Sequence, residues 1–406
     1  MNRTSIFKLK IDFEKSQGSY LMDKNSGRKY LDFFGQYATL SLGYNNPIFK
    51  TQSYIDEIKR VAHQKITNCE IISEESLEFD KSFREFTSCN IFKNYHYSCT
   101  GALAVEAAIK SAIDYKGHTC QRVISFKGSF HGINGYGGIF TDRFHPVSKR
   151  LSGFPGSYWE PMENPIIQYR DGIARENTNL VSEVLSKIEA LLINKKNICA
   201  ILVEPIQCTF GDRYFSDSFF IGIRELANKY DVVLIFDEIQ IGFGTTGELW
   251  YFKKLPVEPD ILIFGKKTQL SGIAVQEKFS SIFDNPLRLE VTWDADIMDM
   301  IRCKYIIKAY NEFRVINNVN AMSERLKNGL EGIQGIKNFR KSGLLFAFDF
   351  ESKEKRDSFV KAMLSNGMIC NPTMDKTIRL RPNLCVTESE IDHALSILEA
   401  AANVLC

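Results

Sequence analysis

VVLIFDEIQIGFG, residues 232–244, is the stretch that decides the fold. Five apolar residues run without a break and end in Asp237 and Glu238. A short, continuously apolar strand is typical of a parallel sheet that is covered on both faces. Because ligands bind beyond the carboxyl ends of the strands in open α/β sheets, Asp237 marks the first place to look for a site.

The segments on either side of this strand alternate between two periodicities. Helical spacing of apolar residues alternates with short β-branched runs from about residue 100 onward. In chain order the segments are ALAVEAAIKSAIDYKG, RVISF, LVSEVLSKIEALLI, ICAILVEP, IGIRELANKY, VVLIF and DILIFG. The alternation predicts an α/β domain with a largely parallel sheet.

The two ends of the chain have a different pattern. The C-terminal part contains GLLFAFDF, a helical stretch at 352–367, short strands near 368–372 and 377–382, and a last helix. That helix begins with Thr387, followed three residues later by Glu390, which is a capping-box signature. We predict a small α+β domain at 305–406, a large α/β domain at 51–304, and an N-terminal segment, 1–50, that contains a hairpin and joins the small domain.

The composition excludes several classes of protein. The 406 residues are 44% hydrophobic and 25% charged, which is typical of a globular chain. Fifty-one basic and 49 acidic residues leave a net charge of +2, without the basic stripe that nucleic acid requires. No apolar run reaches the roughly 20 residues of a membrane span, and the N-terminus does not resemble a signal peptide. We therefore expect a cytoplasmic protein that binds neither nucleic acid nor membrane.

Ten cysteines and six histidines are spread along the chain. They form neither the close pairs of a zinc site nor the density of a disulfide scaffold. We expect reduced thiols and no metal site.

Three further strand ends carry polar residues. Lys266 follows the apolar run of PDILIFG, and a lysine at a buried strand end can act as a Schiff-base nucleophile, although an exposed loop lysine is the common alternative. Gly101 and Ala102 precede a helix whose first amides can bind an anion, but a glycine before a helix is commonplace. Phe130 and His131 precede a glycine-rich loop, where an aromatic ring could stack on a cofactor or simply belong to the core.

The sequence argues against a nucleotide-hydrolysing function for this strand. An apolar strand that ends in Asp-Glu also describes the magnesium-binding strand of a P-loop ATPase. Such an enzyme needs an upstream GxxxxGK[ST], and this sequence contains none.

Taken together, these strand ends resemble the class III (ω-) aminotransferases, which are fold type I pyridoxal phosphate enzymes. The stretches that carry the resemblance extend over most of the chain and look most like L-lysine 6-aminotransferases. They are GALAVEAAIK, FHG, VEPIQ, GDRYF, LIFDEIQIGFGTTGELW, PDILIFGKKTQ, RLEVTW and RLRP. The resemblance implies a large domain with a mostly parallel sheet, a smaller α+β domain, and transfer of an amino group from a lysine-like or other ω-amine to a keto or aldehyde acceptor such as 2-oxoglutarate.

The resemblance also implies how pyridoxal phosphate is bound. Lys266 would form the Schiff base and later move the proton, and it is preferred to Lys267 because the family lysine directly follows the Gly265 position. Asp237 would pair with the pyridinium nitrogen and Gln240 with the ring hydroxyl.

The remaining cofactor contacts would come from both subunits of a homodimer. Phe130 or His131 would cover one face of the ring, and Gly101 and Ala102 would bind the phosphate. Thr292 would reach the same phosphate from the partner subunit.

Several substrate positions depart from the family pattern. Arg381 matches the carboxylate-binding arginine, but Thr209 occupies the position of the glutamate that masks it. Ile133 and Asn134 stand where lysine 6-aminotransferases carry a second arginine. Glu290 replaces an asparagine, and Asp294, Ala295 and Asp296 replace a Gly-Gly-Asn run. These changes indicate substrates whose charges lie elsewhere, and a cationic or polyhydroxylated group facing Glu290 is a hypothesis.

Two alternatives stay open at this point. One is a divergent pyridoxal phosphate enzyme of a biosynthetic pathway, which acts on another amine or catalyses a reaction other than transamination. The other is an inactive homologue, which is disfavoured because the cofactor positions are all chemically competent.

Overall fold

The computed structural model describes residues 7–117, 119–142, 159–170 and 173–404. The chain forms two compact units. The large unit consists of Ile58–Phe243 and Trp250–Lys304, and the small unit consists of the chain up to Glu57, Gly244–Leu249 and the chain from Tyr305 onward. The predicted division into 1–50, 51–304 and 305–406 stays a prediction.

The large unit contains a seven-stranded sheet. Its strands in chain order are β1 (Phe92–Ser98), β2 (Arg122–Phe126), β3 (Trp159–Met162), β4 (Ile198–Val203), β5 (Val233–Asp237), β6 (Ile261–Phe264) and β7 (Ser271–Gln276). They are ordered β1-β7-β6-β5-β4-β2-β3 in the sheet. The five strands β3, β2, β4, β5 and β6 are parallel to one another, whereas β7 is antiparallel to both β6 and β1. The predicted α/β fold with a mostly parallel sheet is confirmed.

The three strands with unbroken apolar sequences lie in the interior of the sheet. All residues of β4, β5 and β6 are buried, which explains their unbroken apolar sequences. The strands β1, β3 and β7 were not predicted from the sequence. β1 and β3 are the edge strands, and β1 has the mixed sequence FKNYHYS that an edge tolerates.

Helices pack against this sheet through small side chains. Helix α1 (Gly101–Lys116) buries Ala104, Ala107, Ala108 and Ala112 in the core, where they contribute to the same cluster as β5 and β6 residues. Helices α2 (Thr178–Asn194) and α3 (Asp217–Tyr230) confirm the two predicted helical stretches, and α3 begins earlier than predicted because Ser216 caps it by accepting from the Phe219 N–H.

The small unit contains the predicted hairpin and a second sheet. Strands Tyr20–Met22 and Lys29–Asp32 are antiparallel, and the second pairs in parallel with Met368–Ile369. A four-stranded antiparallel sheet has the order Lys337–Ser342, Leu345–Asp349, Thr377–Leu380 and Asn371–Thr373. Its main helices are Val315–Leu330, Lys353–Ser365 and Glu388–Asn403. The predicted α+β character of this part is confirmed.

Glu390 ties the last helix to the N-terminal segment. The Thr387 hydroxyl accepts from the Glu390 N–H, and the Glu390 carboxylate accepts from the Thr387 N–H at 2.8 Å, so the predicted capping box is present. The same carboxylate also accepts from the backbone N–H and the hydroxyl of Ser19, at 2.9 and 2.8 Å. A cap at the C-terminal end of the sequence thereby holds the hairpin near its start.

The other described elements are short or connect the main ones. The helices are Gly35–Ala38, Gln52–Val61, Glu74–Thr87, Gly135–Phe140 and Ile297–Glu312, and the paired strands are Gln168–Arg170 with Ile173–Arg175 and Ile206–Gln207 with Arg213–Tyr214. Within the described ranges, the search for a helix long and apolar enough to cross a membrane finds none.

Candidate active site

The ends of three strands of the large unit meet at Ile239, two residues after Asp237. A Cβ atom added to Gly101 would lie 2.9 Å from Ile239 Cδ1, and one added to Gly265 would lie 3.4 Å from Ile239 Cγ2. The start of α1 and the residue before Lys266 therefore lie directly against the segment that follows β5. Neighbouring strands β5 and β6 are parallel, which places their carboxyl ends at one edge of the sheet.

The turn after β2 adjoins the same place. A Cβ atom added to Gly132 would be 3.4 Å from Ala102 Cβ, and Gly132 has a φ of +98° that favours glycine. The structure thus brings together all four strand ends that the sequence singled out.

Asp237 and His131 form the centre of this arrangement. The two side chains are buried, and His131 Nδ1 lies 2.9 Å from Asp237 Oδ2. We assign the hydrogen to Nδ1, because the carboxylate is the acceptor. Asp237 Oδ1 accepts only weakly from the Ile239 N–H at 3.2 Å, and His131 Nε2 is buried with no hydrogen-bond partner among the described residues. Both groups therefore retain capacity to bind something further.

Several residues that the sequence analysis missed hold the turn of His131. The Phe130 N–H donates to Glu204 Oε1 at 2.7 Å, and the His131 N–H donates to Thr141 Oγ1 at 2.8 Å. Thr141 in turn donates to the carbonyl of Gly132. Glu204 directly follows the apolar strand β4, just as Asp237 follows β5, and that position was the signal that could have identified it.

Lys266 has a strained backbone. Its φ is 57°, in the left-handed region, and it begins a short 3-10 turn, Lys266–Thr268, in which its carbonyl accepts from the Gln269 N–H at 2.9 Å. Such conformations are costly for residues other than glycine and cluster at functional sites. Lys266 is half-buried, whereas Lys267 is only 3% exposed, so the two lysines have different environments.

The N-terminus of α1 can bind an anion. Thr100 caps the helix by accepting from the Leu103 N–H at 3.4 Å. Gly101 and Ala102 are the first residues of the helix, so their amides have no intrahelical acceptor. Free amides and the helix dipole together favour a phosphate at this point.

Glu238 is a second buried carboxyl beside Asp237. Its two oxygens accept from the backbone N–H groups of Tyr251 and Phe252 at 2.6 and 2.8 Å. Burial raises the pKa of Glu238 to about 8, against the lowering effect of those two bonds, and the charge of Asp237 raises it further. Glu238 is therefore a neutral acid over much of the physiological range, while Asp237 occupies the strand end that faces Ile239.

The predicted residues of the 290–296 segment lie at the surface of the large unit. Glu290 and Thr292 are exposed, and Trp293 is 52% exposed. Burial works against ionisation of Glu290, but the backbone N–H groups of Glu290 and Leu289 lower its pKa overall. Asp294 is buried and accepts from the Val291 N–H at 3.0 Å, and burial raises its pKa to about 6.

The other predicted substrate residues lie in both units. In the large unit, Thr209 is half-buried, and Asn134 is exposed at the start of Gly135–Phe140 without capping that helix. Gln240, which was predicted to contact the cofactor, is also half-buried. In the small unit, Arg381 is only 3% exposed, and its Nη1 donates to the carbonyls of Phe346 and Leu380 at 3.1 and 2.9 Å.

The residues present fit pyridoxal phosphate. Asp237 has accepting capacity for a ring N–H, the first amides of α1 suit the phosphate, and Lys266 supplies a primary amine. The described part of the chain contains no group of three His, Cys, Asp or Glu residues able to hold a metal ion.

Comparisons with known proteins show the family of the chain. A family model described as aminotransferase class-III matches residues 2–402. The L-lysine-epsilon aminotransferase of Mycobacterium tuberculosis is 31% identical over 97% of this chain and 92% of its own length. The 4-aminobutyrate aminotransferase of Schizosaccharomyces pombe is 29% identical over 94% and 86% of the two chains. A solved structure of lysine aminotransferase from M. tuberculosis, in the internal aldimine form, has a TM-score of 0.91 at 30% identity and covers 100% of this chain and 97% of that one.

The contact between Gly101 and Ile239 can be tested by a substitution and its relief. Gly101→Ala should lower the free energy of unfolding by about 1–3 kcal/mol, because the new methyl group meets Ile239 Cδ1. Ile239→Val removes that atom, so the double variant should be more stable than Gly101→Ala alone in urea denaturation. Additive losses in the double variant would contradict the close approach.

Glu238 should make stability depend on pH. Its ordinary pKa is 4.5 and its folded pKa is about 8, so the folded protein binds an extra proton between these values and loses stability as the pH rises through them. We expect Glu238→Gln to reduce this slope by up to about 1.4 kcal/mol per pH unit in urea denaturation between about pH 5 and 8. The exposed Glu85→Gln variant serves as the control, and equal slopes in both variants would disprove the assignment.

Proposed function

The chain belongs to the class-III aminotransferases, which are pyridoxal phosphate enzymes, and we propose that it moves the terminal amino group of a lysine-like donor to a keto acid such as 2-oxoglutarate. The observation that carries the proposal is the meeting of Asp237, the residue before Lys266 and the start of α1 around Ile239. One place in the large unit thereby offers an acid, an amine and an anion site.

Lys266 is the amine that we assign to the reaction. When bound, pyridoxal phosphate supplies an electron sink that labilises the bonds of the carbon carrying the substrate amine. Lys266 Nζ would hold the cofactor covalently as a Schiff base until the donor replaces it, and would then move the proton at the substrate carbon. The left-handed backbone of Lys266 supports the choice over Lys267, since strain of this kind is maintained where a side chain must be placed accurately.

Asp237 would keep the ring nitrogen protonated. A buried carboxylate stabilises a cation next to it far better than an exposed one does, because little water screens the pair. The bond from His131 Nδ1 keeps the Asp237 carboxylate oriented. With His131 engaged in this bond, Phe130 is the aromatic that we assign to the ring face, and Gln240 is assigned to the ring hydroxyl.

The phosphate is assigned to Gly101 and Ala102, and Thr292 would complete the site from the partner subunit.

Thr292 lies within an exposed apolar face of the large unit. Its exposed apolar side chains are Ile66, Val291 and Trp293. The 65–69 and 291–296 segments are joined, because Cys69 Sγ donates to the Val291 carbonyl at 3.0 Å and Asn68 donates to Ala295. Apolar faces of this kind mark interaction sites, and we propose that this face forms a homodimer.

Arg381 is the residue that we assign to the carboxylate of the substrates. An arginine can bind a carboxylate with two parallel bonds, and Thr209 carries no charge that could mask it. Arg381 would thus be available to a substrate carboxylate in both half-reactions.

A donor other than lysine is the second candidate, and the substrate positions favour it. Ile133 is 54% exposed and Asn134 is uncharged, so neither offers a cation to an α-carboxylate. Glu290 is exposed, with its pKa lowered as described, and it would attract a cationic group. Titration of the coloured holoenzyme with L-lysine, diamines and amino sugars distinguishes the candidates, because the donor converts the cofactor and bleaches its visible band.

We further propose that the enzyme works in the cytoplasm. Cys120, Cys199, Cys303 and Cys370 are buried thiols, and burial raises the pKa of Cys199 and of Cys370 to about 12. Thiols kept in this form are typical of proteins from reducing compartments.

Replacing Lys266 should abolish the covalent attachment of the cofactor. Lys266→Ala is expected to reduce kcat by a thousandfold or more, by analogy with the about 10²–10⁴-fold contribution of a general base plus the loss of the nucleophile. After borohydride reduction, mass spectrometry should find pyridoxyl on the peptide with Lys266 in the wild type and none in the variant. Lys267→Met is the control, and a pyridoxyl group that disappears there instead would reassign the lysine.

The shared site predicts complementation between two inactive variants. Thr292→Glu places a negative charge against the phosphate, and Lys266→Ala removes the amine. In a heterodimer of the two, one site combines an intact Lys266 with an intact Thr292 from the other subunit. Mixed refolding should therefore restore about a quarter of the wild-type activity. No recovery in heterodimers isolated by two affinity tags would show that Thr292 does not act across the interface.

A further inference from the structure

Four successive residues of the small unit have a left-handed backbone. Gly35, Gln36, Tyr37 and Ala38 have φ values of 59°, 51°, 58° and 69°. L-residues visit this region singly and at a cost, and a run that includes three residues other than glycine is rare. Strain of this kind persists only where surrounding contacts determine the conformation, and it is often found at functional sites.

The carboxylate of Asp32 determines the conformation of this turn. Asp32 is fully buried. Its Oδ1 accepts from the N–H groups of Phe34 and Gly35 at 2.9 and 2.8 Å. Its Oδ2 accepts from Gln36 Nε2 at 3.0 Å and from the Tyr44 hydroxyl at 2.7 Å. Each carboxylate oxygen accepts two hydrogen bonds, and these four bonds hold the backbone and the Gln36 side chain of the turn in place.

The turn is seated on the backbone of Arg381. The Arg381 N–H donates to the carbonyl of Phe33 at 2.7 Å. A Cβ atom added to Gly35 would overlap the Arg381 carbonyl oxygen and lie 3.3 Å from Arg381 Cβ. The turn therefore contacts Arg381 directly. Its conformation fixes the position of the Arg381 backbone, from which the side chain extends.

We propose that Asp32 is a positioning residue for Arg381, which sets the affinity of the enzyme for substrate carboxylates. This inference rests on the proposed function, in which Arg381 binds the carboxylate. Asp32 does not touch the substrate, and it acts by holding residues 33–38 in the one conformation that seats the arginine.

Asp32→Asn is the sharpest test, because it keeps the shape of the side chain and removes one pair of acceptors. Whichever way the amide is turned, its NH2 group faces two donors, so either the backbone pair or the pair from Gln36 and Tyr44 loses its acceptor. In the holoenzyme we expect the KM for 2-oxoglutarate and the dissociation constant of glutarate to rise about tenfold. We expect kcat, and the KM of an amine donor without a carboxylate, to stay within about twofold, which a general loss of folding would not allow.

Two further variants keep the test decisive. Tyr44→Phe removes one of the four donors and should raise the glutarate dissociation constant about threefold, even if Asp32→Asn does not fold. Asp23→Asn is the matched control, because Asp23 is another hairpin carboxylate with bonds to Lys10 and Ser26 and should leave glutarate binding unchanged.

Arg381→Gln separates this inference from the proposed function. If Arg381→Gln weakens glutarate while Asp32→Asn and Tyr44→Phe bind it as the wild type does, the inference is overturned and the proposed role of Arg381 stands. If Arg381→Gln itself leaves glutarate binding unchanged, the carboxylate assignment fails and the inference fails with it. Weakening in all three variants, with the control unaffected, supports both.

Discussion

The packing of Ile239 against two glycines is the contact on which the site of the large unit depends. Parallel strands deliver their carboxyl ends to one edge of the sheet, but they do not by themselves bring loops into contact. Gly101 and Gly265 allow the start of α1 and the end of β6 to approach Ile239 to within van der Waals distance. A Cβ atom at position 101 would lie 2.9 Å from Ile239 Cδ1, and one at position 265 would lie 2.5 Å from Ser271 Oγ, so a side chain at either position would disturb the close packing of these strand ends.

The second constraint of the site is the burial of two adjacent acidic residues, Asp237 and Glu238, which have different hydrogen-bond partners. Asp237 Oδ2 is paired with His131, and its Oδ1 accepts one long hydrogen bond, so Asp237 can still accept a hydrogen bond from a cationic ring. Glu238 accepts from two backbone donors, and burial raises its pKa to about 8. A proton on the Glu238 carboxyl limits the repulsion between these two adjacent acidic residues at the end of β5.

The small unit also contains buried acidic side chains that accept several hydrogen bonds. Asp32 satisfies four donors and holds a turn that is unfavourable for its own residues, and Glu390 satisfies the end of a helix and the backbone of Ser19 together. Both are buried carboxylates that bind segments distant in sequence or unusual in conformation. The sequence indicated Glu390 only as part of a capping box and did not single out Asp32, because nothing in LDFFGQYA or TESE shows which donors from elsewhere in the chain will surround the acid.

The sequence by itself determined the central strands of the sheet and the family. Unbroken apolar runs such as VVLIF have one stable environment, a strand covered on both faces, and polar residues at their ends then mark the edge where ligands bind. The capping box at Thr387 was equally readable, because its donors and acceptors lie within four residues. The tertiary structure alone decided that His131 contacts Asp237, that Glu204 holds the turn of Phe130, that Lys266 is strained and that Asp32 supports Arg381. These are contacts between residues far apart in the chain or conformations maintained by them, and periodicity and local propensity carry no information about either.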